Sequence, residues 1–161
     1  MFHLYWVDLM TQNKSSQLLI IVSSPSGAGK TSVCQKILQD DDGISISISD
    51  TTRAPRNNEI DGKDYNFINL AEFEKRIKND LYIEYAKVFN NYYGSQKETI
   101  SKYFNEGRDV LFDIDWQGAQ QLKRSDFTNI LSIFIVPPTK QAIYERLKLR
   151  TKASGGNEKD I

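Results

Sequence analysis

The segment SSPSGAGKTS, Ser23 to Ser32, directly follows the apolar run LLIIV and precedes a stretch in which Val33, Ile37 and Leu38 recur at helical spacing. A short, unbroken run of branched apolar residues is the pattern of a strand covered on both faces, as in a parallel sheet. Strand, glycine-bearing turn and helix in immediate succession confine the chain to an α/β architecture. The turn nearly matches GxxxxGK followed by Ser or Thr, with Ser24 at the first glycine position. Gly27 and Gly29 let main-chain amides approach an anion closely, and the amino end of the following helix adds a favourable dipole.

Ser24, Pro25, Ser26, Gly27, Ala28, Gly29, Lys30, Thr31 and Ser32 therefore form the candidate cradle for the phosphates of a nucleotide. Lys30 is placed to reach the β and γ phosphates, and Thr31 to offer its hydroxyl to Mg2+, an ion that takes few protein ligands. VLFDID supplies a second carboxylate: Asp113 ends another buried-strand pattern, where an acid points toward the metal and its waters. Asp115, two residues on, either shares that crevice or caps the helix that begins near Gln117.

Asp109 to Asp113 and Ile130 to Val136 repeat the buried-strand signature, and Thr139 opens a helix carrying Ile143 and Leu147. The middle of the chain reads differently. Tyr65 to Ile68 and Tyr82 to Phe89 read as strands around a helix capped by Asn69, and a further helix follows Ser95 and ends at Gly107. The predicted fold is thus a parallel sheet flanked by helices, with an inserted mixed α+β subdomain.

Lys plus Arg and Asp plus Glu both total 21, so no general attraction to nucleic acid or to anionic lipid is expected. Cys34 is the single cysteine and His3 the single histidine, which disfavours disulfides and zinc and points to a reducing, cytoplasmic setting. The opening MFHLYWVDLM is too short to span a membrane. Residues 1–17 are expected to be a disordered extension, with Met10 an alternative start. Oligomeric state is not encoded in any pattern here.

TTRAPR sets Arg53 and Arg56 three apart, and two guanidinium forks can clamp one phosphate through bidentate hydrogen bonds. Tyr65 and Tyr93 offer phenolic donors or cross-strand packing. Glu84, in YIEYAKVF, is either an exposed strand charge or a carboxylate able to accept two hydrogen bonds from a guanine edge.

SSPSGAGKTS, SDTTRAPR, DGKDYNF, IEYAKVFNNYYGS and DIDWQGAQQLK occur in the order and approximate spacing of guanylate kinases, and the chain resembles that family from about Ser23 to Arg150. The resemblance implies a P-loop nucleoside monophosphate kinase that phosphorylates GMP and dGMP with ATP and Mg2+ in purine nucleotide metabolism. It implies that Arg53, Arg56, Tyr65 and Tyr93 hold the GMP phosphate, and that Ser49, Glu84, Ser95 and Asp115 read the base. Lys30 and Arg53, with Arg146 and Arg150 in ERLKLR as lid arginines, would form the catalytic set. The implied layout is a guanylate-kinase-like domain over 18–161, with a core at 18–49 and 95–145, a GMP-binding subdomain at about 50–94 and a partial lid at about 146–161. The TKASGGNEKDI tail lacks the acidic segment, the further basic residue, the final strand and the terminal helix of the family pattern. Two alternatives stay open: a non-catalytic binding domain of the same ancestry, and an inactive truncated remnant.

Overall fold

The computed structural model describes residues 3–10 and 17–153. Its larger sheet contains β1 (His3–Met10), β2 (Leu19–Ser23), β3 (Ile44–Ile46), β8 (Asp109–Asp113) and β9 (Ile130–Val136), in the order β1-β9-β2-β8-β3. The strands β9, β2, β8 and β3 run parallel, and β1 joins antiparallel at the edge. The smaller sheet contains β4 (Asp50–Thr51), β5 (Asn66–Phe67), β6 (Tyr82–Val88) and β7 (Asn91–Gln96), in the order β5-β4-β7-β6.

Five helices join these strands among the described residues: α1 (Lys30–Asp40), α2 (Leu70–Lys78), α3 (Lys97–Asn105), α4 (Trp116–Lys123) and α5 (Lys140–Ala153). Helix α2 starts where expected, because the Asn69 side chain accepts from the Glu72 amide at 2.9 Å and satisfies a donor that the first turn leaves unpaired. Thr139 does the same for the Ala142 amide at 3.1 Å.

All of β2 is buried, as its continuous apolar run requires. On one face of the sheet Leu19, Ile21, Val110 and Phe112 pack with Ile100, Ala119 and Leu122. On the other, Ile20, Val22, Leu111 and Ile135 meet Ala28 and Cys34. The core therefore fixes β2 and β8 side by side, with Val22 opposite Asp113, and brings the carboxyl ends of both strands to one rim.

Two expectations need correction. Residues 3–10 are not disordered: they form β1, whose pairing covers the main-chain donors and acceptors of the β9 edge. The strand β9 is less buried than its composition implies, since Leu131, Ile133 and Ile135 face the α1 side whereas Phe134 and Val136 alternate to the other face and stay 40% exposed. A strand with no counterpart in the sequence expectations is NYYGSQ: β7 folds back on β6 through a turn at Phe89, whose φ of 54° is left-handed. Its glycine and polar residues hide it from a periodicity reading. The helix α5 continues unbroken through position 146, while residues 154–161 lie outside the described residues. Among the described residues, no helix is long and apolar enough to cross a membrane.

Candidate active site

The glycine-bearing turn leaves β2 and enters α1 through two left-handed residues, Gly27 at φ 79° and Gly29 at φ 96°. A side chain at either position would be strained, so glycine is what allows the turn to curl back over the helix terminus. Gly29 caps α1 without any side-chain hydrogen bond, which leaves the helix's first amides directed at the turn. The helix α5 lies against this turn. Leu147 Cγ would be 3.0 Å from a Cβ at Gly27, and Arg146 Nη1 donates to the Ala28 carbonyl at 3.0 Å.

Lys30 Nζ pairs with Asp113 Oδ1, and Thr31 Oγ1 donates to Asp113 Oδ2 at 3.2 Å. Asp113, more than 80 positions away from Lys30 and Thr31, meets them because β2 and β8 are neighbours in register. Their exposed oxygens are hydroxyl and carboxylate, the hard donors that suit magnesium and its retained waters.

The acceptor side contains two clusters. In the first, Arg53 Nη2 donates to Glu59 Oε1 at 2.8 Å, while Glu59 Oε2 accepts from the Arg56 amide at 2.7 Å. The Arg53 guanidinium also lies 5.4 Å from the centre of the Tyr65 ring, and Tyr65 meets Tyr93 edge-on at 5.9 Å. Both arginines and both tyrosines expected to hold a phosphate thus share one pocket wall. Their internal counter-ion is Glu59, whose carboxyl is held below its ordinary range by hydrogen bonds from Arg53 and the Arg56 amide, outweighing its partial burial.

In the second cluster Ser95 Oγ donates to Glu84 Oε1 at 2.6 Å, and the Ser49 and Ser95 hydroxyls lie 3.3 Å apart. Glu84 is only 3% exposed. Burial pushes its carboxyl up to about 7; the Ser95 hydrogen bonds pull the other way, and the Asp115 charge adds to the rise. Asp115 lies two residues beyond Asp113, the partner of Lys30, and the charges of Asp115 and Glu84 act on Lys30, so this cluster lies within electrostatic reach of the phosphate turn. Asp115 itself caps α4, accepting from the Gln117 and Gly118 amides at 3.0 and 2.9 Å. A carboxylate has about four lone-pair sites, so capping leaves acceptor capacity for a ligand. Arg150 belongs to α5, but its side chain lies outside the described residues.

Four contributors escaped the sequence reading. Glu59 lies within a few residues of both arginines, and its closeness in sequence was the available signal. Asp50, fully buried, accepts from Arg76 at 2.6 Å, Tyr82 at 2.7 Å and Asn66 at 2.9 Å, and ties β4 to α2 and β6. Gln121 and Gly118 on α4 face β6, and only the glycine inside a helical stretch hinted at a close approach.

The family model "Guanylate kinase" matches residues 16–159. A guanylate kinase of Rickettsia bellii is 49% identical over 141 residues, covering 88% of this chain and 72% of the relative. One of Paramagnetospirillum magneticum is 42% identical over 137 residues, covering 85% of this chain and 64% of the relative. The crystal structure of guanylate kinase from Anaplasma phagocytophilum superposes with a TM-score of 0.73 at 37% identity, over 88% of this chain and 70% of that one. The chain thus spans roughly two thirds of the length of these relatives. The family match over nearly the whole chain and the shared fold make the conclusion plain: the chain belongs to the guanylate kinase family.

Proposed function

We propose that this chain transfers the γ-phosphoryl group of ATP to GMP, and to dGMP, yielding ADP and the nucleoside diphosphate, as a step of purine nucleotide metabolism in the cytoplasm. The observation that carries the reading is the meeting of Lys30, Thr31 and Asp113 at the mouth of the glycine turn, within electrostatic reach of Glu84.

ATP phosphates rest on the amides of Ser24 to Ser32, with the Lys30 ammonium on the β and γ oxygens. Thr31 and Asp113 are the residues that would hold Mg2+, largely through water, and the ion would neutralise charge on the transferred group. On the acceptor side Arg53 and Arg56 bind the GMP phosphate by bidentate bonds, supported by Tyr65 and Tyr93. Glu84 accepts from the guanine edge, while Ser49, Ser95 and Asp115 complete the base pocket. Arg146, already on the turn at Ala28, and Arg150 supply cationic charge as the transfer proceeds. The attacking atom is a GMP phosphate oxygen, anionic at neutral pH, so the residues need only align and neutralise.

Steady-state turnover with ATP and Mg2+ against GMP, dGMP, AMP and UMP tests this directly. Turnover confined to the guanine nucleotides is expected. GMP binding without turnover would replace the enzyme reading with that of a binding module or an inactive remnant, and indifference to the base would overturn it.

A further inference from the structure

We propose that Gly118 is a positioning residue that sets guanine selectivity, because the space left by its missing side chain is the space occupied by the Glu84 carboxylate. The inference rests on the reading that Glu84 accepts hydrogen bonds from the base, and goes beyond it by naming what holds that carboxylate in place.

Three observations converge. A Cβ at Gly118 would overlap Glu84 Oε2 and lie 3.0 Å from Glu84 Cδ and 3.3 Å from Ile114 Cδ1. The neighbour that must yield is a buried carboxylate with little room to move: Glu84 is 3% exposed and its other oxygen is bonded to Ser95, itself fully buried. Helix α4 cannot drift away to relieve the overlap either. Gln121, one turn beyond Gly118, pairs with the β6 main chain as another strand would: its Nε2 donates to the Tyr85 carbonyl at 2.7 Å, and its Oε1 accepts from the Tyr85 amide at 3.1 Å. The Asp115 cap anchors the other end of the helix, with one bond to the Gly118 amide itself.

The helix is therefore locked to β6 directly beside Glu84, and glycine is the one residue at 118 that lets the carboxylate stand upright in the pocket. Alanine would turn Glu84 away from Ser95 and from the base. A carboxylate in place accepts from both the ring N1–H and the exocyclic amine of guanine, whereas hypoxanthine lacks the amine, so the GMP-to-IMP affinity ratio reports the carboxylate's placement.

The test is equilibrium binding of GMP, IMP and a non-hydrolysable ATP analogue to the wild-type chain, G118A, E84D and the double variant E84D/G118A. For G118A the expected result is a loss of GMP affinity of about tenfold or more, with a fall in the GMP-to-IMP ratio and ATP-analogue affinity within about twofold. Shortening the acid by one methylene removes the overlap, so E84D/G118A should match E84D alone in GMP affinity, ratio and melting temperature. That comparison holds even if G118A by itself fails to fold. A double variant that is unfolded or binds GMP much more weakly than E84D overturns the proposal, as does a folded G118A with wild-type ratio. If instead E84Q leaves GMP affinity untouched, it is the base-pocket reading that fails, an outcome separable from the failure of Gly118.

Discussion

The phosphate turn and the proposed base pocket lie within electrostatic reach of each other yet are built on opposite principles. The turn is made of main chain: two left-handed glycines, the uncapped amides of α1, and a lysine whose charge meets Asp113. The proposed base pocket is made of side chains from four elements or their flanks, with Ser49 before β4, Glu84 on β6, Ser95 on β7 and Asp115 before α4. A main-chain site needs little but its own local sequence and a strand behind it. A side-chain site needs every contributing element docked in register, and it carries the cost of an acid removed from water.

Lys30→Ala breaks that comparison most sharply. Transfer should fall by about a thousandfold or more, since the ammonium is the one side-chain cation carried by the turn's own sequence. GMP affinity should stay within about twofold of wild type. Calorimetric GMP titration beside the turnover assay checks this, and a parallel loss of both would mean that the two regions are not separable.

Asp50→Asn probes the scaffold of the acceptor side. Asp50 is fully buried beneath Arg76, Tyr82, Asn66 and Gln96, so neutralising it leaves Arg76 paired with Glu72 alone and turns one of Asp50's acceptors into a donor facing donors. Losing charge-assisted hydrogen bonds at a buried acceptor costs about 2 kcal/mol, and denaturant unfolding should show a loss of that order. ATP-analogue binding to the surviving folded fraction should be unchanged. If unfolding is unaltered, the smaller sheet does not depend on this carboxylate.

Glu84→Gln has the smallest and most informative effect. Guanine donates to the pocket, so the carboxylate must be ionised to serve; with its carboxyl raised to about 7, wild-type GMP affinity should climb as pH rises from 6 to 8. The stability linkage has the opposite sign. A carboxyl raised in the folded state favours folding below the ordinary glutamate range, and that contribution is lost as pH rises through about 7. The glutamine variant should therefore bind GMP about tenfold more weakly at pH 8 while melting higher than wild type there. Its affinity should keep only the pH dependence of the nucleotide's own phosphate. An unchanged pH profile in the variant would remove Glu84 from base recognition.

Much of the donor region was legible before any coordinates. The buried run before Ser23, the left-handed glycines and the acid at the end of VLFD are local signatures of backbone geometry, and the structure places Lys30, Thr31 and Asp113 together. The acceptor phosphate wall was partly legible, since Arg53 and Arg56 sit in one short segment, but their engagement with Glu59 was not. Strand β7 escaped because NYYGSQ has neither alternation nor an apolar run; its pairing with β6 and β4 creates it. The strand β1 escaped for a related reason, since an isolated apolar decapeptide becomes a strand only when an edge such as β9 stands beside it.

By itself the sequence determined the local devices: where the chain turns tightly around an anion, which helices start at Asn69 and Thr139, and which residue types could meet phosphate or base. These follow from φ preferences, capping and side-chain chemistry, which act within a few residues. The tertiary structure alone decided that Glu84 is buried rather than solvated, that Asp115 caps α4 close enough for its charge to act on Glu84, and that Gly118 clears room for a carboxylate 34 positions away. Burial and clearance belong to the docking of α4 on β6, and no short window of sequence contains both partners.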